Sequence, residues 1–307
     1  MNTNVTQIIG LDVGRGYTKA YSEFLGVKKE CKFKSCVGIG RTMDYSNFKD
    51  PIFLEVNGEK YFAGLLAEVE GDSPTQNLRD DKTTLTVHKL IFAALNKVAA
   101  TEKINIMLGV PNKLFRKSIM EEIKKTYVNK HLEIKDKING TTKKCYIENI
   151  NIFREADAAL LWAVRNKKQN ENNIGMVNIG FRTTELSLYD PDLKYLDKYS
   201  STIEVGNKTA LEYVQRELKN ENIIKTIGEI DSKARKYKQY KEVAFNSLHE
   251  RLLQDIENAW INLSEIDLYI AGGTALNLPF DSKYKIIDDA QLATAKGLYL
   301  VGTKTFK

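Results

Sequence analysis

The 307-residue chain has few cysteines, few histidines and no long apolar run. Cys31, Cys36 and Cys145 form an odd set without a CxxC pair. That count argues against a disulfide framework and for reduced thiols in a cytoplasm. His88, His131 and His249 are scattered, so they offer no basis for a His/Cys metal site. No stretch approaches the roughly 18 apolar residues that a membrane helix needs. Met1–Gln7 is too polar for a signal peptide, so a cytoplasmic protein without direct membrane association is expected. A net charge of +6 is modest for this length and gives no ground for direct DNA binding. With 42% hydrophobic and 28% charged residues, the chain has the composition of an ordinary soluble protein. It is long enough for two domains with substantial cores.

What the sequence does have is three strand-like runs that end in glycine turns. The first is Ile8-Ile9-Gly10-Leu11-Asp12-Val13-Gly14-Arg15-Gly16-Tyr17-Thr18-Lys19. Its glycines allow a sharp turn whose backbone N–H groups can face phosphate oxygens. Asp12 can hold hydrated Mg²⁺, and Lys19 adds positive charge. The second run is Met176-Val177-Asn178-Ile179-Gly180-Phe181-Arg182-Thr183-Thr184-Glu185-Leu186-Ser187-Leu188, with an amide at the aspartate's place. The third, Leu268-Tyr269-Ile270-Ala271-Gly272-Gly273-Thr274-Ala275, ends in paired glycines. One early turn and two late ones suit a nucleotide held by a duplicated fold.

Between these turns, Asn57-Gly58 and Asn139-Gly140 mark tight hairpins. Val27–Val37 reads as a returning strand and Gly71–Asp81 as a polar loop. Thr83 or Thr84 caps a helix to about Ala100. Ile104–Val110 is a buried-type strand, followed by a basic amphipathic helix from Asn112 to about Asn129. Ile150–Phe153 is a separate strand leading into a helix from Ala156 to about Asn166. The all-polar Lys167–Asn173 reads as a linker. Later helices are expected to about Asn220, over roughly Asp231–Tyr240 and from about Glu242 to Leu263. The last is expected from Asp288-Asp289-Ala290 to Val301, with the two aspartates in its first turn.

Taken together, these motifs resemble the actin/Hsp70/sugar-kinase ATPase superfamily over nearly the whole chain. Asp12-x-Gly14-x-Gly16-x-x-Lys19 looks like its first phosphate loop, Asn178-x-Gly180-x-x-Thr183-Thr184 its second, and Gly272-Gly273 its adenosine motif. The Asn57-Gly58 hairpin and the Gly109-Val110-Pro111 junction are similar to the plasmid-segregation actins of the ParM/StbA type. The resemblance implies an α/β actin-like ATPase fold of two related domains, each a mixed β-sheet flanked by helices, with a nucleotide cleft between them. Domain I would cover 1–166, with a small inserted subdomain at about 38–81. Domain II would cover 167–307, with a helical subdomain at about 204–264, and the 289–301 helix would pack back on domain I.

The same resemblance assigns roles. Asp12 and Glu155 would be catalytic, Glu155 by positioning or activating the attacking water. Asp12, Gly14, Arg15, Gly16, Tyr17 and Lys19 would bind the nucleotide from the first loop. Asn178, Gly180, Phe181, Arg182 and Thr183 would do so from the second, and Gly272, Gly273 and Thr274 from the third. Lys208 and Glu212 would line the ribose and adenine. Asp12 and Asn178 would hold Mg²⁺ through water. The implied cofactor is ATP or GTP with Mg²⁺. The implied function is a filament-forming ATPase that segregates plasmid DNA, with itself and a centromere-bound, DNA-binding adaptor protein as partners.

Two departures bear on this. The second loop normally begins with Asp, and Asn178 removes that carboxylate. Arg15 and Arg182 stand where the superfamily more often has small or polar residues. Two other functions therefore stay open: a small-molecule (sugar or acid) kinase of the same superfamily, and a nucleotide-gated binding module with very slow turnover. Against the kinase, the inserted region at 38–81 is short.

Overall fold

The computed structural model describes residues 5–167, 171–233 and 236–307. Residues 1–4 of the polar N-terminus, 168–170 of the expected linker and 234–235 of the expected lysine-rich helix lie outside the described residues. The chain divides into two compact units, one of residues 1–162 and 294–307 and the other of 163–293.

The first unit opens with β1 (Gln7–Val13), β2 (Tyr17–Phe24), β3 (Val27–Lys34) and β4 (Cys36–Ile39). The hairpin β5 (Ile52–Val56) and β6 (Glu59–Ala63) turns on Asn57 and Gly58, both at positive φ. That is the backbone a two-residue hairpin loop requires. Then come α1 (Leu65–Glu70), β7 (Asp72–Gln76), α2 (Leu85–Val98) and β8 (Lys103–Val110). They are followed by α3 (Lys117–Tyr127), β9 (Lys130–Asp136), β10 (Thr141–Arg154) and α4 (Glu155–Val164). All ten strands form one mixed sheet in the order β3-β2-β1-β8-β10-β9-β5-β6-β4-β7.

The second unit holds β11 (Asn173–Ile179), β12 (Thr184–Tyr189), β13 (Ser201–Ile203), α5 (Asn207–Asn220), α6 (Ile227–Ser232) and α7 (Lys238–Ala259). It continues with β14 (Ile266–Ala271) and β15 (Lys285–Ile286). Its five-stranded sheet runs β13-β12-β11-β14-β15. The last helix, α8 (Ala293–Thr305), falls almost wholly in the first unit.

The two sheets repeat one plan. In the first, β1 pairs antiparallel with β2 and parallel with β8, which pairs parallel with β10. In the second, β11 pairs antiparallel with β12 and parallel with β14, which pairs parallel with β15. The architecture is the actin-like α/β fold of two related mixed sheets flanked by helices. The central strands are apolar along their length, as strands covered on both faces must be, and each unit has its own core. Among the described residues no helix is long and apolar enough to cross a membrane.

Several local expectations need correction. Gly71–Asp81 is not all loop, since β7 pairs with β4 within it. Every residue of β7 is exposed and Pro74 lies in its middle, which an edge strand tolerates. The returning strand Val27–Val37 breaks at Ser35 into β3 and β4. Ile150–Phe153 belongs to one long strand, β10, with a bulge between Ile147 and Asn149. Asn112–Leu114 is a 3-10 turn, and α3 starts only at Lys117 after the extended Arg116. Asp288 and Asp289 precede α8 and are not in its first turn, although the Asp289 carbonyl accepts from the N–H groups of Leu292 and Ala293.

Candidate functional site

In the first unit the site grows from the end of β1. Asp12 is buried and faces Lys19 across the β1–β2 ladder, and Lys19 Nζ donates to Asp12 Oδ2 at 2.8 Å. The turn closes where Gly14 N donates to the Tyr17 carbonyl at 3.2 Å. A Cβ on Gly14 would lie 3.0 Å from that carbonyl, 3.5 Å from Asp12 Oδ1 and 3.9 Å from Lys19 Nζ. The bare face of Gly14 thus opens on the carboxylate and the ammonium together. Gly14 and Gly16 are anchored from outside, because Ser35 Oγ donates to the Gly14 carbonyl at 2.6 Å and Ser35 N to the Gly16 carbonyl at 2.9 Å. Arg15 is ion-paired with Asp80, which Lys113 Nζ also approaches at 2.7 Å. The Tyr17 ring has Lys32 Nζ over it.

Glu155 opens α4 directly after β10, where parallel pairing sets the ends of β8 and β10 side by side. Its side chain keeps 17% of its surface open. Burial pushes its carboxyl above the usual range, Lys82 counters this, Asp12 adds to the rise and Lys19 opposes it. The Lys82 ammonium, 5% exposed, lies 3.5 Å from Glu155 Oε1 and donates to the Val13 carbonyl at 2.8 Å. Sequence reasoning missed Lys82, which sits in a polar stretch with no local sign of burial. Asp12, the Gly14–Tyr17 turn, Lys19 and Glu155 are brought together, with Lys82 among them.

In the second unit the same hairpin recurs. Asp12 pairs with Lys19 seven residues on, and Asn178 pairs with Glu185 at the same spacing. Gly180 N donates to the Thr183 carbonyl at 2.9 Å, as Gly14 N does to Tyr17. The acid–base pair of the first unit is therefore an amide–acid pair in the second, and Glu185 is buried. Paired residues on antiparallel strands share a face, so a carboxylate at 178 would stand beside a second one.

The other predicted residues gather on this turn. Thr274 Oγ1 donates to the Gly180 carbonyl at 3.0 Å, as Asn207 N does at 3.2 Å, and Lys208 N donates to the Phe181 carbonyl at 2.7 Å. Gly206 has to be glycine for this approach, since a Cβ there would lie 2.6 Å from the Gly180 carbonyl. Gly272 has φ +93, and a Cβ on it would lie 2.1 Å from the Ile179 carbonyl. Gly273 packs against the Gln291 side chain. The charged side chains stay at the surface: Arg182 Nε pairs with Glu204 at 3.0 Å, and Lys208 with Glu212 at 3.2 Å.

The donor set fits a magnesium nucleotide. Among the described residues no group of three or more His, Cys, Asp or Glu could hold a metal. Mg²⁺ in phosphate sites needs only one or two carboxylates beside phosphate and water. Asp12 Oδ1, beside the bare Gly14, is the available carboxylate oxygen.

Residues 10–156 match the family model described as the N-terminal domain of actin-like proteins. No curated protein matches the chain. Among solved structures, a 15-stranded ParM filament from Clostridium botulinum is similar at TM-score 0.83 and 18% identity, covering 97% of this chain and 99% of its own. The archaeal actin homolog Ta0583, solved in complex with ADP, is similar at TM-score 0.77 and 18% identity, with the same coverages of 97% and 99%. The Alp12 filament structure gives TM-score 0.67 at 19% identity, covering 98% and 99%. Residues 10–156 are thus similar to the N-terminal domain of actin-like proteins, and the chain has the actin-like fold over nearly its whole length.

Proposed function

We propose that this chain is a nucleotide-driven filament protein. It binds ATP or GTP with Mg²⁺, assembles with copies of itself, hydrolyses the nucleotide and disassembles, moving plasmid DNA through an adaptor protein. The observation that carries the chemistry is the grouping of Asp12, Lys19, the bare Gly14 and a partly buried Glu155 at adjoining strand ends. Filament formation by the similar ParM and Alp12 proteins supports the assembly half. The ADP complex of the archaeal homolog supports a nucleotide ligand.

Hydrolysis of a phosphoanhydride depends on positioning and charge neutralisation. The Gly14–Tyr17 turn supplies backbone donors for phosphate oxygens, and Lys19 adds a point charge. Asp12 would hold Mg²⁺, which would supply charge neutralisation on the phosphates. Glu155 takes the proton of the attacking water as its oxygen bonds to the γ-phosphorus. The bond from that phosphorus to the bridging oxygen breaks, and the electron pair leaves with the diphosphate.

Asn178 supports a second reading, a nucleotide-gated binding module with very slow turnover. Measuring phosphate release beside nucleotide affinity separates the two. The ATPase releases phosphate over repeated turnovers, whereas the module binds without releasing it.

A further inference from the structure

Glu155 can take a proton only when it is ionised, yet its surroundings favour the neutral acid. The main group that opposes them is a lysine on a different element. Lys82 lies just before α2, far in sequence from both residues its ammonium reaches. It donates to the Val13 carbonyl at 2.8 Å, at the last residue of β1 before the Gly14 turn, and lies 3.5 Å from Glu155 Oε1. Its own carbonyl accepts from Tyr127 Oη at 2.6 Å, which fixes the backbone from α3. The side chain is therefore held at both ends. One ammonium bridges the strand that carries the first turn and the carboxylate at the head of α4.

Resting on the function proposed above, we infer that Lys82 is a positioning residue for hydrolysis. Through its Val13 and Glu155 contacts it keeps the Glu155 carboxylate ionised and in register with the Gly14 turn. Its part is to orient Glu155, with no contact to the nucleotide required. Among the described residues the charged groups facing Glu155 are Lys82, Asp12 and Lys19, and the Lys82 ammonium lies 3.5 Å from its Oε1.

The test measures single-turnover hydrolysis, its pH profile and nucleotide affinity in the full chain with Mg²⁺ present. Wild type is compared with Lys82→Met, Glu155→Gln and the double variant. Lys82→Met should slow hydrolysis about tenfold or more and change nucleotide affinity by less than about threefold. It should also move the acid limb of the rate profile up by about one pH unit, because a nearby cation is gone. In the Glu155→Gln background the same substitution should change the rate by less than about twofold, since coupled residues are not additive. Equal losses in both backgrounds, an unmoved acid limb, or a loss of affinity as large as the loss of rate overturns the proposal. Should Lys82→Met not fold, Lys82→Arg replaces it. Arg keeps the charge but moves it, so hydrolysis should slow in wild type and not in the Glu155→Gln background. A wild type that hydrolyses normally beside an equally active Lys82→Met refutes only the role of Lys82. A wild type that hydrolyses nothing refutes the functional reading as well.

Discussion

Gly109 and Glu155 stand so close that a Cβ on the glycine would lie 3.0 Å from Glu155 Cγ and 3.6 Å from its Oε1. Leu298 of α8 closes the other side at 3.1 Å. Gly109→Ala should therefore push Glu155 off its place beside Lys82. Overpacking of this kind costs about 1 kcal/mol or somewhat more, so the melting temperature should fall modestly. Hydrolysis should slow about threefold to tenfold with nucleotide affinity nearly unchanged, since one ångström of misplacement is enough. Thermal unfolding beside single-turnover kinetics checks this, and an unchanged rate would mean that Glu155 tolerates displacement.

Removing the carboxylate is the stronger change. Glu155→Ala should leave nucleotide affinity within a few-fold while slowing hydrolysis roughly tenfold or more, the usual cost of losing a general base. Filaments of the variant should then outlast those of the wild type after nucleotide is added. Equal rates would return Glu155 to a structural role at the start of α4.

The raised pKa of Glu155 also predicts how stability depends on pH. Its folded value lies above the ordinary 4.5, so the native state holds this proton more tightly than the unfolded chain does. The group's contribution to stability is therefore greatest in acid and declines as pH rises through 4.5 towards the folded value. Glu155→Gln removes that titration. The stability of wild type minus that of the variant should fall as pH rises above 4.5, as read by denaturant unfolding at each pH. A flat difference would mean that Glu155 titrates as a surface acid does.

Much of the fold was legible because local chemistry dictated it. Asn57-Gly58 set a hairpin through two positive φ angles, and the Thr84 hydroxyl accepts from Val87 N to start α2. The glycine turns could be read because Gly14, Gly180 and Gly272 stand where a Cβ would crowd a backbone carbonyl. What could not be read depends on distant packing. Lys82 sits in a stretch of polar residues and becomes a site residue only because the chain folds it against Val13 and Glu155. Strand β7 has no hydrophobic alternation and exists because β4 offers it an edge. The Asn178–Glu185 pair needs strand register, which fixes that the two share a face.

That register sets what Asn178→Asp would do. The new carboxylate would stand beside the buried Glu185, and two like charges repel unless a cation lies between them or near them. The variant should bind nucleotide with a steeper dependence on Mg²⁺ and hydrolyse it at a measurably different rate. A magnesium titration of nucleotide affinity with single-turnover hydrolysis tests both. Superimposable curves and equal rates would mean that position 178 does not face the metal.

The central claim is that nucleotide drives this chain into filaments. Light scattering and sedimentation of the purified protein at tens of micromolar (roughly, a chosen assay range), with Mg²⁺ and ATP, GTP or a slowly hydrolysed analogue, test it most directly, with electron microscopy of the pellet. The account predicts that at least one nucleotide raises scattering and yields filaments, and that the analogue prolongs them. No rise in scattering and no pelleted polymer with any of the three would contradict it.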